Sequence, residues 1–334
     1  MPRKEPGTVK RSKGIGGSDV AAMCGLSRYK TAYQLYLEKR GELEPDQTDS
    51  EQMRFGRRLE KPIADEFAFR SGRKVWRSPR TLRHPAYKFL LANIDRWQDR
   101  DGLQGVYEGK NANERQKKIW LTGGVPEGYY LQLQHYLMVT GCTFGTFGVL
   151  FGGNEFHAFD VERDEETIGN MLALELDFWR RVQTGDAPDF AFGEAGAALV
   201  KRMYAKAVPA KEHLFEGPEA EGKIRRLLQL KDIIKDRESQ LDDLETWVKL
   251  QMGDAEFALF PGLAKFSWKN QTRKSVDMDR LKLLHAELVA QFTTQKESRT
   301  FRTTALTDEL GEALPEDKED AILITSGVRQ IELD

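Results

Sequence analysis

The chain has 334 residues, with 51 Lys and Arg against 53 Asp and Glu, for a formal charge of −2. That balance excludes a uniformly basic coat for nucleic acid, and 40% apolar with 10% aromatic residues excludes wholesale disorder. The two cysteines, Cys24 and Cys142, exclude a disulfide framework and a four-cysteine metal site, so a reducing cytoplasm is expected.

The length allows one enlarged domain or two. The longest mostly apolar stretch, Phe144 to Phe151, is too short to span a bilayer, and the basic amino end is followed by no apolar signal region. Neither a membrane helix nor secretion is expected. Charge is unevenly spread: residues 1 to 40 carry nine basic and three acidic side chains, whereas Asn154 to Phe190 carries three basic and ten acidic. A near-zero total therefore still allows a local basic patch.

In chain order, Gly17 to Glu38 reads as helical, with Ser18 and Asp19 available as a cap and a break near Gly25. A stronger helix follows a polar stretch. Its Phe55, Leu59, Ile63 and Phe67 form one stripe ending near Gly72. Extended segments are predicted around Val75, over Phe89 to Trp97 and over Leu103 to Asn111, the last two joined as a hairpin through Asp99 to Gly102. Pro126 and Gly141 frame a helix over Glu127 to Thr140. Strands at Thr146 to Phe151 and Glu155 to Val161 come next, then a helix through Thr167 to Val182. The pattern is that of an α/β core. Beyond Pro188, Leu227, Leu230, Ile234, Leu241, Leu244 and Val248 predict one long helix over Glu219 to Met252, with Arg237 breaking the seam. A strand at Lys265 to Lys269, a helix from Asp277 to Phe292 and an extended Arg299 to Thr304 complete the tail.

The chemistry concentrates in Asn93-Ile94-Asp95 and Tyr107-Glu108-Gly109-Lys110. On a strand, Glu108 and Lys110 project from one face, and Asp95 on the adjoining strand can reach it. Two carboxylates beside an ammonium are costly unless a divalent cation sits between the acids, and Mg²⁺ favours such hard oxygen ligands. Lys110 would then orient or help deprotonate a water attacking phosphorus, or stabilise charge developing there. Alternatively, Glu108 and Lys110 form only a surface ion pair. Gln132 and Tyr136, one turn apart on the next helix, present an amide and a phenol together. Glu60 borders the apolar stripe of its own helix.

Five motifs carry a resemblance: Gly14-Ile15-Gly16-Gly17-Ser18-Asp19-Val20, Phe55-Gly56 with Leu59-Glu60 and Pro62-Ile63, Ala92-Asn93-Ile94-Asp95, Glu108-Gly109-Lys110, and Gln132 with Gln134-His135-Tyr136. In order and spacing they resemble the YqaJ-type viral recombinases, the phage lambda exonuclease-like branch of the PD-(D/E)xK nucleases, over roughly residues 11 to 190. The resemblance implies a restriction-endonuclease-like core, with a central mixed β-sheet flanked by helices, as a nuclease domain over residues 1–190. Residues 191–334 are expected to form an α-rich region with the long helix 219–252 and a small α+β tail. It implies digestion of linear double-stranded DNA from 5′ to 3′ with Mg²⁺, or Mn²⁺ in its place, leaving a 3′ single strand for a single-strand annealing protein. A ring-like homo-oligomer in the cytoplasm of a bacterial host carrying a phage or prophage is implied as well.

By the same resemblance Asp95, Glu108 and the Gly109 carbonyl are metal ligands, with Glu60 joining through water. Lys110 is the catalytic lysine, supported by Gln132 and Tyr136. Arg11, Ser18 and Asn93 hold the DNA 5′ phosphate. Arg11 would supply a charged fork beside a helix amino end at Ser18, though an ordinary cap and a tail arginine explain these two equally well. Arg115, Lys117 or Lys118 would face the DNA backbone, and spacing does not choose among them. Gly109 departs from the apolar β-branched residue usual there, which loosens the strand. Two alternatives stand beside the exonuclease: a structure-selective or nicking endonuclease on the same core, and a non-catalytic DNA-end-binding accessory protein.

Overall fold

The computed structural model describes residues 13–46, 49–78, 80–295 and 298–304, which divide into two compact units between Met203 and Tyr204. The first unit begins with β1 (Ile15–Gly16), α1 (Gly17–Met23), α2 (Ala32–Arg40), α3 (Glu51–Ser71), β2 (Val75–Arg77), β3 (Leu82–Arg83), β4 (Leu90–Ala92), β5 (Arg96–Arg100) and β6 (Leu103–Ala112). It continues through α4 (Glu114–Gly123), α5 (Glu127–Thr140), β7 (Phe144–Phe151), β8 (Glu155–Glu162), α6 (Glu165–Thr184) and α7 (Glu194–Met203). Five strands form a mixed sheet in the order β2-β5-β6-β7-β8, with β6 and β7 parallel and every other neighbour antiparallel. A smaller sheet, β1-β4-β3, pairs β1 with β4 in parallel. This is the mixed α/β class expected from the sequence.

Alternation along β6 sorts the two faces of the large sheet. Val106 packs with Phe147, Val149 and Phe151 in the main core, which α1, α2, α5 and α6 also enter. On the other face Tyr107 joins Ile63, Ala64 and Phe67 of α3 and Phe156 of β8. Its ring stacks on Phe67 at 4.8 Å between centroids, and its hydroxyl donates to the Ile63 carbonyl at 3.2 Å. Burying a residue of that size is worth about 2–3 kcal/mol relative to exposure, so the contact fixes α3 firmly against β6.

Several expected elements are redrawn. The strand expected over Phe89 to Trp97 is two strands in different sheets: β4 pairs with β1 and β3, whereas β5 pairs with β2 and β6. Asp95 lies in the bend between them instead of on the strand. Phe55 is 46% exposed, because only Ile63 and Phe67 of its stripe enter the core while Leu59 is partly covered. Neither α4 nor α7 was expected; α4 buries Trp120 alone, and α7 buries Gly196 and Leu199, too few positions to print a stripe.

In the second unit α8 (Pro218–Met252) is followed by the antiparallel pair β9 (Phe257–Phe260) and β10 (Ala264–Ser267), then α9 (Met278–Leu284) and α10 (Ala286–Phe292). The helix expected over Asp277 to Phe292 breaks at His285, whose φ of −140° and ψ of 48° are not helical. Among the described residues no helix is long and apolar enough to cross a membrane.

Candidate active site

The hairpin of β5 and β6 turns through Asp101 and Gly102, both at positive φ. Pairing of the two strands stops at Arg96 and Tyr107. Just beyond that point the Asp95 carboxylate takes over: its Oδ2 accepts from the Gly109 amide at 2.9 Å, while the Asp95 amide donates to Glu108 Oε1 at 3.2 Å. The bend thus locks both acids to the end of the hairpin. Glu108 and Lys110 share a face, as their two-residue spacing requires.

Lys110 Nζ donates to Glu108 Oε2 and to Gln132 Oε1, each at 3.3 Å, and Gln132 Nε2 donates to the Tyr136 hydroxyl at 3.0 Å. The ammonium also lies 5.1 Å from the Tyr129 ring centroid and 5.8 Å from that of Phe147. Trp120 supports both rings from beneath, stacked on Tyr129 at 5.6 Å and edge-on to Phe147 at 5.7 Å. This is the structural purpose of α4: it delivers one fully buried indole behind the lysine.

Burial, and then the Asp95 charge, push the Glu108 carboxyl up to about 8 against the opposing pull of Lys110. Burial also raises Asp95, in spite of the Gly109 amide and Lys110. For Lys110, burial disfavours the charge, but Glu108 and Asp95 outweigh it and hold the ammonium above its usual range. Glu60, on α3, is raised by loss of water at the cavity wall and then by Asp95. Burial thus raises the cost of ionising all three acids around a single space, and the Asp95 charge adds to it at Glu108 and Glu60.

That space is a cavity of about 570 Å³ lined by Asp95, Glu108, Gly109, Lys110, Gln132, Tyr136, Glu60, Ser18 and Asn93. Every one of these was singled out from the sequence. Arg11 lies outside the described residues. Ser18 is not the cap expected of it: Gly16 occupies that position, and the Asp19 carboxylate reaches back to the Gly16 amide at 3.0 Å. Asn93 accepts from Thr81 Oγ1 at 2.7 Å. Arg115, Lys117 and Lys118 stand on α4 and do not line the cavity, and Lys117 is paired with Glu155 and Glu114. Arg57 and Tyr129 line it without having been foreseen. Helical spacing could have found both, since Arg57 precedes Glu60 by three residues and Tyr129 precedes Gln132 by three.

A divalent cation fits this donor set in a restricted sense. Among the described residues no three His, Cys, Asp or Glu side chains converge as a metal cage. Two adjoining carboxylates that burial makes costly to ionise, with the Gly109 carbonyl next in the chain after Glu108, are instead the partial oxygen set that a hard cation completes with water.

A family profile for the YqaJ-like viral recombinase domain matches residues 9–143. The chain is 37% identical to the uncharacterized protein YqaJ of Bacillus subtilis (strain 168) over 277 residues, 82% of this chain and 86% of that protein. Among solved structures it is similar to an alkaline exonuclease from Laribacter hongkongensis, at 19% identity and a TM-score of 0.46 over 52% of this chain and 90% of that one. It is also similar to a phage related exonuclease from Haemophilus somnus 129PT, at 11% identity and a TM-score of 0.39 over 52% of this chain and 96% of that one. On the extent of its likeness to the Bacillus protein and the profile match over the cavity-forming segment, the chain belongs to the YqaJ-like viral recombinase family.

Proposed function

We propose that the protein is a divalent-metal-dependent deoxyribonuclease that degrades linear double-stranded DNA from its 5′ ends, leaving 3′ single strands for recombination by annealing. The observation that carries this reading is the meeting of Asp95, Glu108 and Lys110 with the Gln132–Tyr136 pair in one cavity. A viral recombinase domain supports DNA as the substrate.

Asp95, Glu108 and the Gly109 carbonyl would hold the cation, taken as Mg²⁺ with Mn²⁺ able to replace it, and Glu60 would assist through water. When bound, such an ion neutralises charge building on a phosphate and makes water more acidic. Lys110, held as an ammonium between Glu108, Gln132 and the Tyr129 ring, donates hydrogen bonds to the attacking water or to a phosphoryl oxygen. Gln132, fixed by Tyr136, keeps that ammonium aimed into the cavity. Ser18 and Asn93 on the wall would meet the terminal phosphate. A ring-like homo-oligomer and a single-strand annealing partner, both implied by the resemblance, complete the reading.

The test is nucleotide release from end-labelled linear duplex with Mg²⁺, compared with EDTA and with Lys110→Ala. Loss of at least about 10²-fold is expected in both comparisons, the lower range for removing one general acid–base or charge-stabilising group. Release unaffected by Lys110→Ala refutes the site assignment. Cutting of covalently closed circles marks an endonuclease, and duplex binding without release marks an accessory protein.

A further inference from the structure

The segment before α1 is pressed against the cavity with no room to retreat. A Cβ at Gly14 would fall 2.2 Å from the Phe89 carbonyl, and one at Gly17 would fall 2.7 Å from Tyr136 Cε1 and 2.9 Å from the Gln132 carbonyl. These glycines let the backbone itself serve as wall next to the Gln132–Tyr136 pair. Asp19 lines the same cavity, which brings a carboxylate to a space where the backbone of DNA would carry negative charge.

Lys39 answers that charge from the last turn of α2. Its Nζ donates to Asp19 Oδ2 at 2.6 Å and to the Gly14 carbonyl at 2.6 Å, and its side chain is only 4% exposed against 15% for Asp19. The same Asp19 oxygen accepts from the Gly16 amide at 3.0 Å. One ammonium therefore joins both ends of the Gly14–Asp19 segment. Burying a lysine is costly unless its charge is matched, and here the matching acid belongs to the cavity wall.

We infer that Lys39 is a positioning residue for DNA binding: held between Asp19 and the Gly14 carbonyl, it cancels the Asp19 charge that would otherwise oppose the incoming phosphates. The inference rests on the proposed reading of the cavity as the DNA site. Lys39 does not touch the reacting atoms, so its loss weakens binding and leaves the chemical step alone.

The full-length protein and three variants, Lys39→Met, Asp19→Asn and Lys39→Met/Asp19→Asn, are compared on linear duplex with Mg²⁺ for KM, kcat and melting temperature. Duplex affinity is measured separately by fluorescence anisotropy. Lys39→Met is expected to raise KM and the dissociation constant roughly tenfold, the effect of one partly screened charge, with kcat within about threefold of the parent. Asp19→Asn leaves both within about threefold or tightens them, and the double variant returns to within about threefold of the parent, because removing the acid removes the need for the lysine. A merely structural tie predicts otherwise: Asp19→Asn is weakened as much as Lys39→Met, and kcat falls along with melting temperature in both. The inference is overturned if the double variant stays as weak as Lys39→Met, or if Lys39→Met binds like the parent. Should Lys39→Met not fold, Asp19→Asn decides, since a tenfold loss there also overturns it. Failure of the parent protein both to bind and to degrade duplex rejects the cavity as the DNA site, whereas normal binding and release by the parent with no effect at Lys39 rejects this inference alone.

Discussion

Replacing His135 by leucine should destabilise the first unit far more than replacing both His135 and its partner Glu175. His135 on α5 and Glu175 on α6 are both 0% exposed, and Nδ1 of the histidine lies 2.7 Å from Glu175 Oε1. On the other side of the ring Nε2 lies 3.0 Å from the Leu91 carbonyl, which can only accept, so that nitrogen carries a proton. Burial opposes charge on His135, but Glu175 and the hydrogen bonds to it and to Leu91 outweigh that, and the imidazole is held above its usual range. Removing one member strands the other in the core, at about 3–5 kcal/mol. For a unit of this size about 2–4 °C of melting temperature corresponds to each kcal/mol, so His135→Leu should melt roughly 6–20 °C lower. His135→Leu/Glu175→Met fills the space with apolar atoms and should lie within about 1–2 kcal/mol of the parent or above it. Calorimetry of the full chain, following the transition of the first unit, measures all three. Because the folded His135 value is raised, the pair's contribution is full below the unfolded imidazole value and is lost as pH rises through the folded one. The parent should therefore lose melting temperature relative to the double variant as pH increases. A double variant as unstable as the sum of its single changes would refute the reasoning.

Three further outcomes follow from local geometry. A Cβ at Gly109 would meet nothing closer than Ile63 Cγ2 at 3.6 Å, so Gly109→Ala should keep near-parent nucleotide release, whereas Gly17→Ala, which drives a Cβ into Tyr136, should lose most of it at matched protein concentration. Tyr129→Phe retains the ring beside Lys110 and should retain kcat within about threefold, while Tyr129→Ala should lower it about tenfold or more in steady-state assays. Asp164 caps α6 through the amides of Glu166 and Thr167, and the Thr167 hydroxyl, the Thr167 amide and the Tyr130 hydroxyl hold its carboxyl down at about 2. Asp164→Ala should cost about 1 kcal/mol near neutral pH in urea denaturation, and the difference from the parent should fade as pH drops from about 4 toward 2, where the capping carboxylate is protonated.

The residues of the site were legible because their signals are local. A turn at Asp99 to Gly102 and two-residue spacing suffice to put Glu108 and Lys110 on one face, and four-residue spacing suffices for Gln132 and Tyr136. What the sequence did not disclose depends on pairing between distant strands. Phe89 to Trp97 reads as one extended run, yet Leu90 and Leu91 find partners at Ile15 and Gly16 while Trp97 finds Trp76 and Val106, and the chain must bend at Asn93 to Asp95 to serve both sheets. That bend is what aims Asp95 at Gly109. Lys39 escaped notice for a related reason: it is a basic residue in the last turn of a helix, a common end signal, and its contact with Asp19 spans twenty residues. Trp120 stands between Ile119 and Leu121, which are equally apolar but exposed, and no apolar periodicity singles it out for burial.

The parallel pairing of β6 with β7 has a consequence for the newly made chain. A hairpin such as β5–β6 closes within microseconds, but two parallel strands cannot meet until the crossover between them, here Asn113 to Thr143, has been synthesised and folded. The acids Asp95 and Glu108 and the lysine arrive with the hairpin, whereas Gln132, Tyr136 and the aromatic bed beneath the ammonium arrive only with the crossover. Until then Lys110 lacks Gln132 and the Tyr129 and Phe147 rings that flank it in the finished fold. The cavity wall is thus complete only when β7 docks beside β6, which makes its closure a late event of folding.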